Sequence, residues 1–284
     1  MYNNSTKNLK RQGFSLTELL VVTAVMAILA GLLLPVISKA KGQVRRAHCI
    51  SNQRQLLLTW NLYNGDNNDL VVANGHGPLD SAISLASAQN PPPKKFWVPG
   101  DDHFYYPAFT NAQLLADSQS ALFGSYLSSA AIYKCPEDND TIKVPGVGKL
   151  PHVRSYSMNA YVGWSLNPTE LNPNYRIFNK TTSITGQSPS DIFVFQDVHP
   201  DSICFPAFIV RMPGEPESFY HYPSSLHSGR GVVTFADGHA ETHRWTDSRT
   251  TLPVTGGILA HWNDSPGNAD LAWIRDHTSY SIGQ

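Results

Sequence analysis

Cysteine and charge are both scarce in this chain. Three cysteines (Cys49, Cys135 and Cys204) among 284 residues permit at most one disulfide per chain and leave one thiol unpaired. Charged residues make up 15% of the sequence and the formal net charge is −1, so the basic excess that a nucleic-acid surface requires is missing. The sequence contains no Gly-rich phosphate loop, no HExxH helix and no GxSxG nucleophile turn. It also shows no internal repeat of fixed period. Asparagine, serine, proline, glycine and tyrosine are plentiful by contrast, with 20 Gly, 20 Pro and 12 Tyr. That balance suits a loop-rich extracytoplasmic domain better than a compact cytosolic enzyme.

One stretch is almost devoid of polar side chains. From Leu19 to Ile37, nineteen residues, Thr23 is the only polar one. As a helix this run spans roughly 28 Å, about the hydrocarbon thickness of a bilayer. Lys7, Lys10 and Arg11 precede it, followed by Gly13-Phe14 and then Glu18. A secretory signal has a shorter apolar region with its small-residue cleavage site at the far end. Here Gly13 lies before the run, so cleavage there leaves the anchor on the mature chain. A carboxylate in a spanning helix costs on the order of 2.5–3.5 kcal/mol at the centre and less near an end. Glu18 is therefore either an interfacial, snorkelling group or the partner of a cation. Charge does not orient the span, because Lys39, Lys41, Arg45 and Arg46 follow it closely.

Residues 10–37, KRQGFSLTELLVVTAVMAILAGLLLPVI, resemble the type IV prepilin and type II secretion pseudopilin signal. The resemblance implies that a prepilin peptidase cuts after Gly13 and that Phe14 becomes a methylated N-terminus. Glu18 is then fifth in the mature chain and Pro35 twenty-second, where such pilins carry a helix-bending proline. In that family the glutamate neutralises a neighbouring subunit's N-terminus and sets the stagger of assembly. The resemblance further implies a single-pass inner-membrane protein with a cytoplasmic leader and a periplasmic or extracellular head. Its expected partners are prepilin peptidase, other pilin or pseudopilin subunits through the N-terminal helix, and inner-membrane lipid, with no nucleic acid.

Beyond Ser38 the pattern turns amphipathic, with Ala40, Val44, Ala47, Ile50, Leu57 and Trp60 at helical spacing and Gln53 as a polar break. Asn64-Gly65-Asp66 reads as the stop, which gives a helix from Phe14 to Tyr63 about 75 Å long, bent at Pro35. The expected organisation is a leader at 1–13, a membrane helix at 14–37, an amphipathic continuation at 38–63 and a globular head at 64–284. Asn90-Pro91-Pro92-Pro93 reads as a loop, and Leu114–Leu127 as one or two short helices. Strands are expected at Ile132–Cys135, Ser155–Val162, Asp191–Gln196, Gly231–Ala236 and His239–Trp245. Asp237-Gly238 is the preferred pair for a two-residue type I′ turn between the last two. Asn268 is placed to cap a helix through Asp276 that buries Leu271, Trp273 or Ile274. The fold class is α+β and pilin-like: a long N-terminal helix packed on an antiparallel sheet with long loops.

His227, nine residues, then Asp237-Gly238 resemble the processing-associated H-X9-DG signature of a large bacterial group of prepilin-type proteins. Cys49, Lys134-Cys135-Pro136, Ser155-Tyr156-Ser157-Met158-Asn159 and Asp197-Val198-His199-Pro200-Asp201-Ser202 resemble other pieces of that group. The type I′ geometry brings the Asp237 carboxylate to a strand end, where His227 is expected to donate to it as one local unit. Asp197, His199, Asp201, His227, Asp237, His239 and His243 are all metal-ligand types, and His239, Glu241 and His243 share one face of a strand. Structural roles explain them better than a zinc site on His199, His227 or His239 does. Major pseudopilins, which this chain resembles, carry a loop calcium site. Asp66-Asn67-Asn68-Asp69 and Glu137-Asp138-Asn139-Asp140 offer oxygen ligands for one, though neither fits an EF-hand. No cofactor is required by either reading. Any disulfide is expected between Cys135 and Cys204, because Cys49 sits on the long helix near the membrane; three buried free thiols are the equal alternative. The aromatics Phe96, Trp97, Phe104, Tyr105, Tyr106 and Phe109 suit a small core or a surface for sugar or another subunit.

These features favour a non-enzymatic, pseudopilin-like filament subunit. The alternative is a membrane-anchored module that binds polysaccharide or a secreted client and does not polymerise, with a metal-dependent hydrolase as a weaker rival.

Overall fold

A computed structural model describes residues 14–76, 96–100, 103, 105–185 and 187–283. The leader with Gly13, the loop at Asn90-Pro91-Pro92-Pro93, and Phe104 lie outside the described residues. The chain resolves into two compact units, Met1–Val44 and Arg45–Gln284. Helix α1 runs over Leu16–Asp66 and contains Pro35. In the first unit its apolar side chains from Leu16 to Ile37 are all exposed. An aqueous protein does not leave so long a run uncovered, and the segment is long and apolar enough to cross a membrane. The helix ends three residues later than the turn cluster predicts. Asn64-Gly65-Asp66 forms its last turn, and Asn68 and Asp69, both at positive φ (56° and 62°), stop it.

Within the second unit α1 buries Cys49, Gln53, Leu56, Leu57, Thr59, Trp60 and Asn64. This face is rotated from the expected stripe: Leu57 and Trp60 are on it, Ile50 is at its edge, and Ala47 is exposed. Gln53 is no break. It is fully buried and its Nε2 donates to the Val232 carbonyl at 3.0 Å, which binds the helix to the sheet beneath.

Strands β1 (Thr141–Val144) and β2 (Gly148–Pro151) form a small outer hairpin. The main sheet contains β3 (Tyr156–Asn159), β4 (Phe193–Asp197) and β5 (Ala207–Phe208). After the short β6 (Ser218–Phe219) it gains β7 (Arg230–Phe235) and β8 (Ala240–Arg244), and β6 pairs separately with β9 (Asn263–Asp264). The strand order is β5-β3-β4-β7-β8, antiparallel except that β5 joins β3 in parallel. Every residue of β3 and β4 is buried, as expected where both faces of a sheet are covered. On one face lie Leu56, Leu57 and Trp60 of α1 with Trp97, Phe123, Tyr133, Phe195 and Val232. On the other, Phe193, Phe208, Val233 and Phe235 meet Leu271 and Ile274. A register shift between Phe193 and Phe195 explains why consecutive Val194 and Phe195 point to the same core, since a bulge breaks the two-residue alternation.

Helix α2 (Ala269–Asp276) begins where Asn268 accepts hydrogen bonds from the Asp270 and Leu271 amides, and it buries Leu271 and Ile274. Short helical turns occupy Gln113–Ala116 and Leu122–Ser125. Ile132–Cys135 is not a strand. Ala130–Tyr133 forms a 3-10 turn that buries Tyr133, and Pro136 has no amide to continue a ladder. Phe96, Trp97 and Phe109 are buried in the core, with Tyr105 and Tyr106 half-buried.

The β7–β8 hairpin forms where expected, with a different turn. Gly238 N–H donates to the Phe235 carbonyl and Phe235 N–H to the His239 carbonyl, both at 3.0 Å. Gly238 has φ +103°, and Asp237 is not among the residues at positive φ. This is a three-residue loop with its left-handed position on Gly238 alone, in place of a type I′ turn.

Candidate functional site

The entry to α1 carries a reciprocal cap. The Ser15 hydroxyl accepts from the Glu18 amide at 3.2 Å, while Glu18 Oε2 accepts from the Ser15 amide at 2.8 Å and from its hydroxyl at 2.7 Å. Ser15-Leu16-Thr17-Glu18 is thus a capping box, a signature visible in the sequence as S-x-x-E before an apolar run. Phe14, directly ahead of it, is 76% exposed. The sequence readings of Glu18, an interfacial group or the partner of a cation, do not include this cap with Ser15.

The strongest convergence of reactive side chains lies deep in the head. Cys49 comes from α1, Cys135 from the loop after the Ala130–Tyr133 turn, Asp197 from the end of β4, and His227 from the turn that leads into β7. One ligand atom from each falls within 4.8 Å of all the others, and all four residues are buried. The Cys49 thiol donates to Asp197 Oδ2 at 3.3 Å and accepts from the Tyr156 hydroxyl at 3.4 Å. Cys135 Sγ is 3.3 Å from His227 Nε2, and that same nitrogen is 3.6 Å from Asp197 Oδ2. The Val232 amide donates to Asp197 Oδ2 at 3.3 Å, and the Ser155 hydroxyl accepts from the Cys135 amide at 3.0 Å. His227 Nδ1 is buried with no hydrogen-bond partner among the described residues.

Burial dominates the electrostatics of this cluster. It pushes the Asp197 carboxyl up to about 7, against the opposing pull of the Cys49 thiol and the Val232 amide. The Cys49 thiol is raised well above its usual value by burial first and by Cys135 and Asp197 next, and the His227 imidazole is lowered by burial. Burial thus favours the neutral forms of Asp197, Cys49 and His227. A Cys-His-Asp relay needs the thiol on one imidazole nitrogen and the carboxylate on the other. Here Nε2 faces both Cys135 and Asp197, so the arrangement is one of donor atoms around a common centre.

The other candidate residues lie elsewhere. His227 does not meet Asp237: six-residue β7 runs between them and an extended strand of that length covers about 20 Å. Asp237 instead holds His239 at 2.6 Å on the exposed hairpin tip. His239 stacks on Phe235 and His243 on Trp273. His199 Nδ1 accepts from the Asp201 amide, and its Nε2 is 3.2 Å from the Leu252 carbonyl. Of the oxygen-rich turns, Asp66 accepts from Tyr126, Glu137 pairs with Arg45, and Asp138 with Lys134.

Cys135 and Cys204 are not joined by a disulfide, and all three cysteines are buried. Cys204 belongs to a second group with His103 and His261, and its Sγ is 3.0 Å from His221 Nε2. The expected pairing assumed that Cys49 stays with the membrane. It fails because the helix turn that carries Cys49 is inside the head, beside Cys135.

The prokaryotic N-terminal methylation motif matches residues 8–34. No curated protein and no solved structure matches the chain. The motif supports a type IV pilin-like protein, and it implies processing by a prepilin peptidase and assembly with pilin subunits in general. It covers the chain from residue 8 through most of the apolar part of α1 and leaves the head, including His227 and Asp237-Gly238, without a counterpart.

Proposed function

We propose that this chain is a pseudopilin-like structural subunit of a type II secretion or type IV pilus-related filament, processed after Gly13 and carrying no catalytic activity. One observation carries the reading: the methylation motif at residues 8–34 runs into a helix whose apolar side chains from Leu16 to Ile37 are all exposed. Such a surface is covered by lipid before assembly and by neighbouring helices after it. In this account the bulk of the chain lies outside the inner membrane, Phe14 supplies the positive N-terminus, and Glu18 of an adjacent subunit neutralises it. Pro35 loosens the helix within the membrane half. His227 and Asp237-Gly238 serve the head: the first contributes to its buried cluster and the second closes a hairpin.

The alternative, an anchored binding module that does not polymerise, draws on one feature. Trp262 is exposed at φ +67° with the Arg211 guanidinium 4.0 Å above its ring and Tyr220 against its edge. An exposed aromatic platform of this kind suits a sugar face. Expression of the full chain with a prepilin peptidase and the pilus or secretion assembly proteins separates the two. Filaments containing the processed chain support the subunit reading. Processed chain that stays monomeric in the membrane and is retained on polysaccharide resin supports the module.

A further inference from the structure

We propose that Cys49, Cys135, Asp197 and His227 bind one zinc ion, which staples α1 to the sheet of the head. The site is independent of whether the protein polymerises. Four segments far apart in the chain, with Cys49 and Asp197 separated by 148 positions, deliver two thiols, a carboxylate and an imidazole to one point. With metal–sulfur bonds near 2.3 Å and metal–nitrogen or metal–oxygen bonds near 2.0–2.2 Å, the edge of a tetrahedral zinc site is about 3.5 Å. Three of the six edges are 3.3 Å from Cys49 to Asp197, 3.3 Å from Cys135 to His227 and 3.6 Å from His227 to Asp197, and the other three are no longer than 4.8 Å. The cluster is therefore close to the dimensions of a four-coordinate shell, and small side-chain shifts would close it on a cation.

Chemistry and burial support the same assignment. Two sulfurs and an imidazole select zinc over calcium or magnesium, which take oxygen ligands. Four protein donors and no exposed position describe a closed structural site, in contrast to a catalytic one. Asp197 is completely buried, and His227 is its only ion-pair partner among the described residues. The Cys49 thiol and the Val232 amide give Asp197 hydrogen bonds, and a cation would supply the opposite charge that a buried carboxylate needs. Two of the ligand atoms also have outer contacts, as in a metal site: the Tyr156 hydroxyl donates to the Cys49 sulfur and the Val232 amide to Asp197. The site also accounts for His227 of the H-X9-DG pattern without asking it to reach Asp237.

The rival use of the same atoms is a Cys49–Cys135 disulfide. The test uses the full-length processed protein, extracted in mild detergent without reductant and then analysed with and without it. Elemental analysis of the protein as isolated should find one zinc per chain, and non-reducing peptide mapping should find both thiols free. Chelator-stripped protein loaded with Co2+ should show the intense visible bands and the thiolate charge-transfer absorption of tetrahedral cobalt. Cys49→Ser, Asp197→Asn and His227→Gln should each weaken zinc binding by more than the roughly 10–100-fold that loss of an outer-shell contact causes, whereas Cys204→Ser should bind as wild type. Because a ligand variant can fail to fold, wild-type melting is measured as well; a chelator should lower the midpoint and zinc should restore it. A Cys49–Cys135 disulfide in the isolated protein, cobalt spectra without thiolate character, or equal zinc affinity in the Cys49→Ser variant would overturn the assignment.

Discussion

Glu18 has two occupations, and three substitutions tell them apart. In the isolated helix its carboxylate closes a capping box with Ser15; in a filament the proposed partner is the Phe14 amino group of a neighbour. Ser15→Ala removes the hydroxyl that accepts from the Glu18 amide. Losing such a cap costs about 1 kcal/mol, roughly a fivefold change in an equilibrium. Glu18→Gln leaves an amide oxygen that still accepts from Ser15, because glutamine also serves at this position of the box, yet it abolishes the charge. Removing one partner of a desolvated ion pair costs about 3–5 kcal/mol, on the order of a hundredfold or more. The assay is the amount of processed protein in a sheared, pelleted filament fraction, normalised to processed protein in the membrane. The ion-pair account predicts that Ser15→Ala assembles within about fivefold of wild type, while Glu18→Gln and Glu18→Ala both assemble at least tenfold less well than Ser15→Ala. If Glu18→Gln polymerises like wild type and Ser15→Ala fails, Glu18 is a capping residue and the assembly role is refuted.

Other expectations concern the head. Gly238→Val should destabilise it by about 1–3 kcal/mol, the cost of forcing a β-branched residue into a left-handed position, read as a lower unfolding midpoint with the N-terminal processing intact. Asn268→Ala should cost about 1–2 kcal/mol, since Asn268 caps two amides of α2 at 2.9 and 3.1 Å and also donates to Ser265; Asn268→Asp should recover most of the loss, because a carboxylate caps as well. Acidification should weaken the head. His199 and His221 each accept a backbone amide on Nδ1, from Asp201 and Ile209, and burial holds both pKa values below the ordinary one. Both are neutral when folded, whereas the unfolded chain takes up protons below about pH 6.5. Their contribution is therefore complete above that value and is lost as pH falls from there towards the folded values. A melting temperature that stays constant from neutrality down through pH 5 would contradict this.

The parts legible in the sequence are those whose signals are local. The span from Leu19 to Ile37, the α+β class, the β7–β8 hairpin and the Asn268 cap each announce themselves within a few residues. What escaped reading depends on pairing at a distance. Gln53 looks like an interruption because only the Val232 carbonyl explains a buried amide. Asp237-Gly238 is compatible with two turn types, and the choice is made by the register between β7 and β8. Ten positions separate His227 from Asp237, and the extended strand Arg230–Phe235 between them keeps the two apart. The buried cluster was only partly foreseeable: His227 and Asp197 are metal-ligand types, but nothing in the sequence says that they meet Cys49 and Cys135 and not His199 or His239.

The central claim is that the chain is processed at Gly13 and then polymerises through its N-terminal helix. It is tested most directly by mass spectrometry of the N-terminal peptide from the polymeric fraction of cells that express the chain with a prepilin peptidase. The account predicts a peptide that begins with N-methylated Phe14. Recovery of residues 1–13 on the polymeric chain, or of a chain cut beyond Ile37, would contradict it.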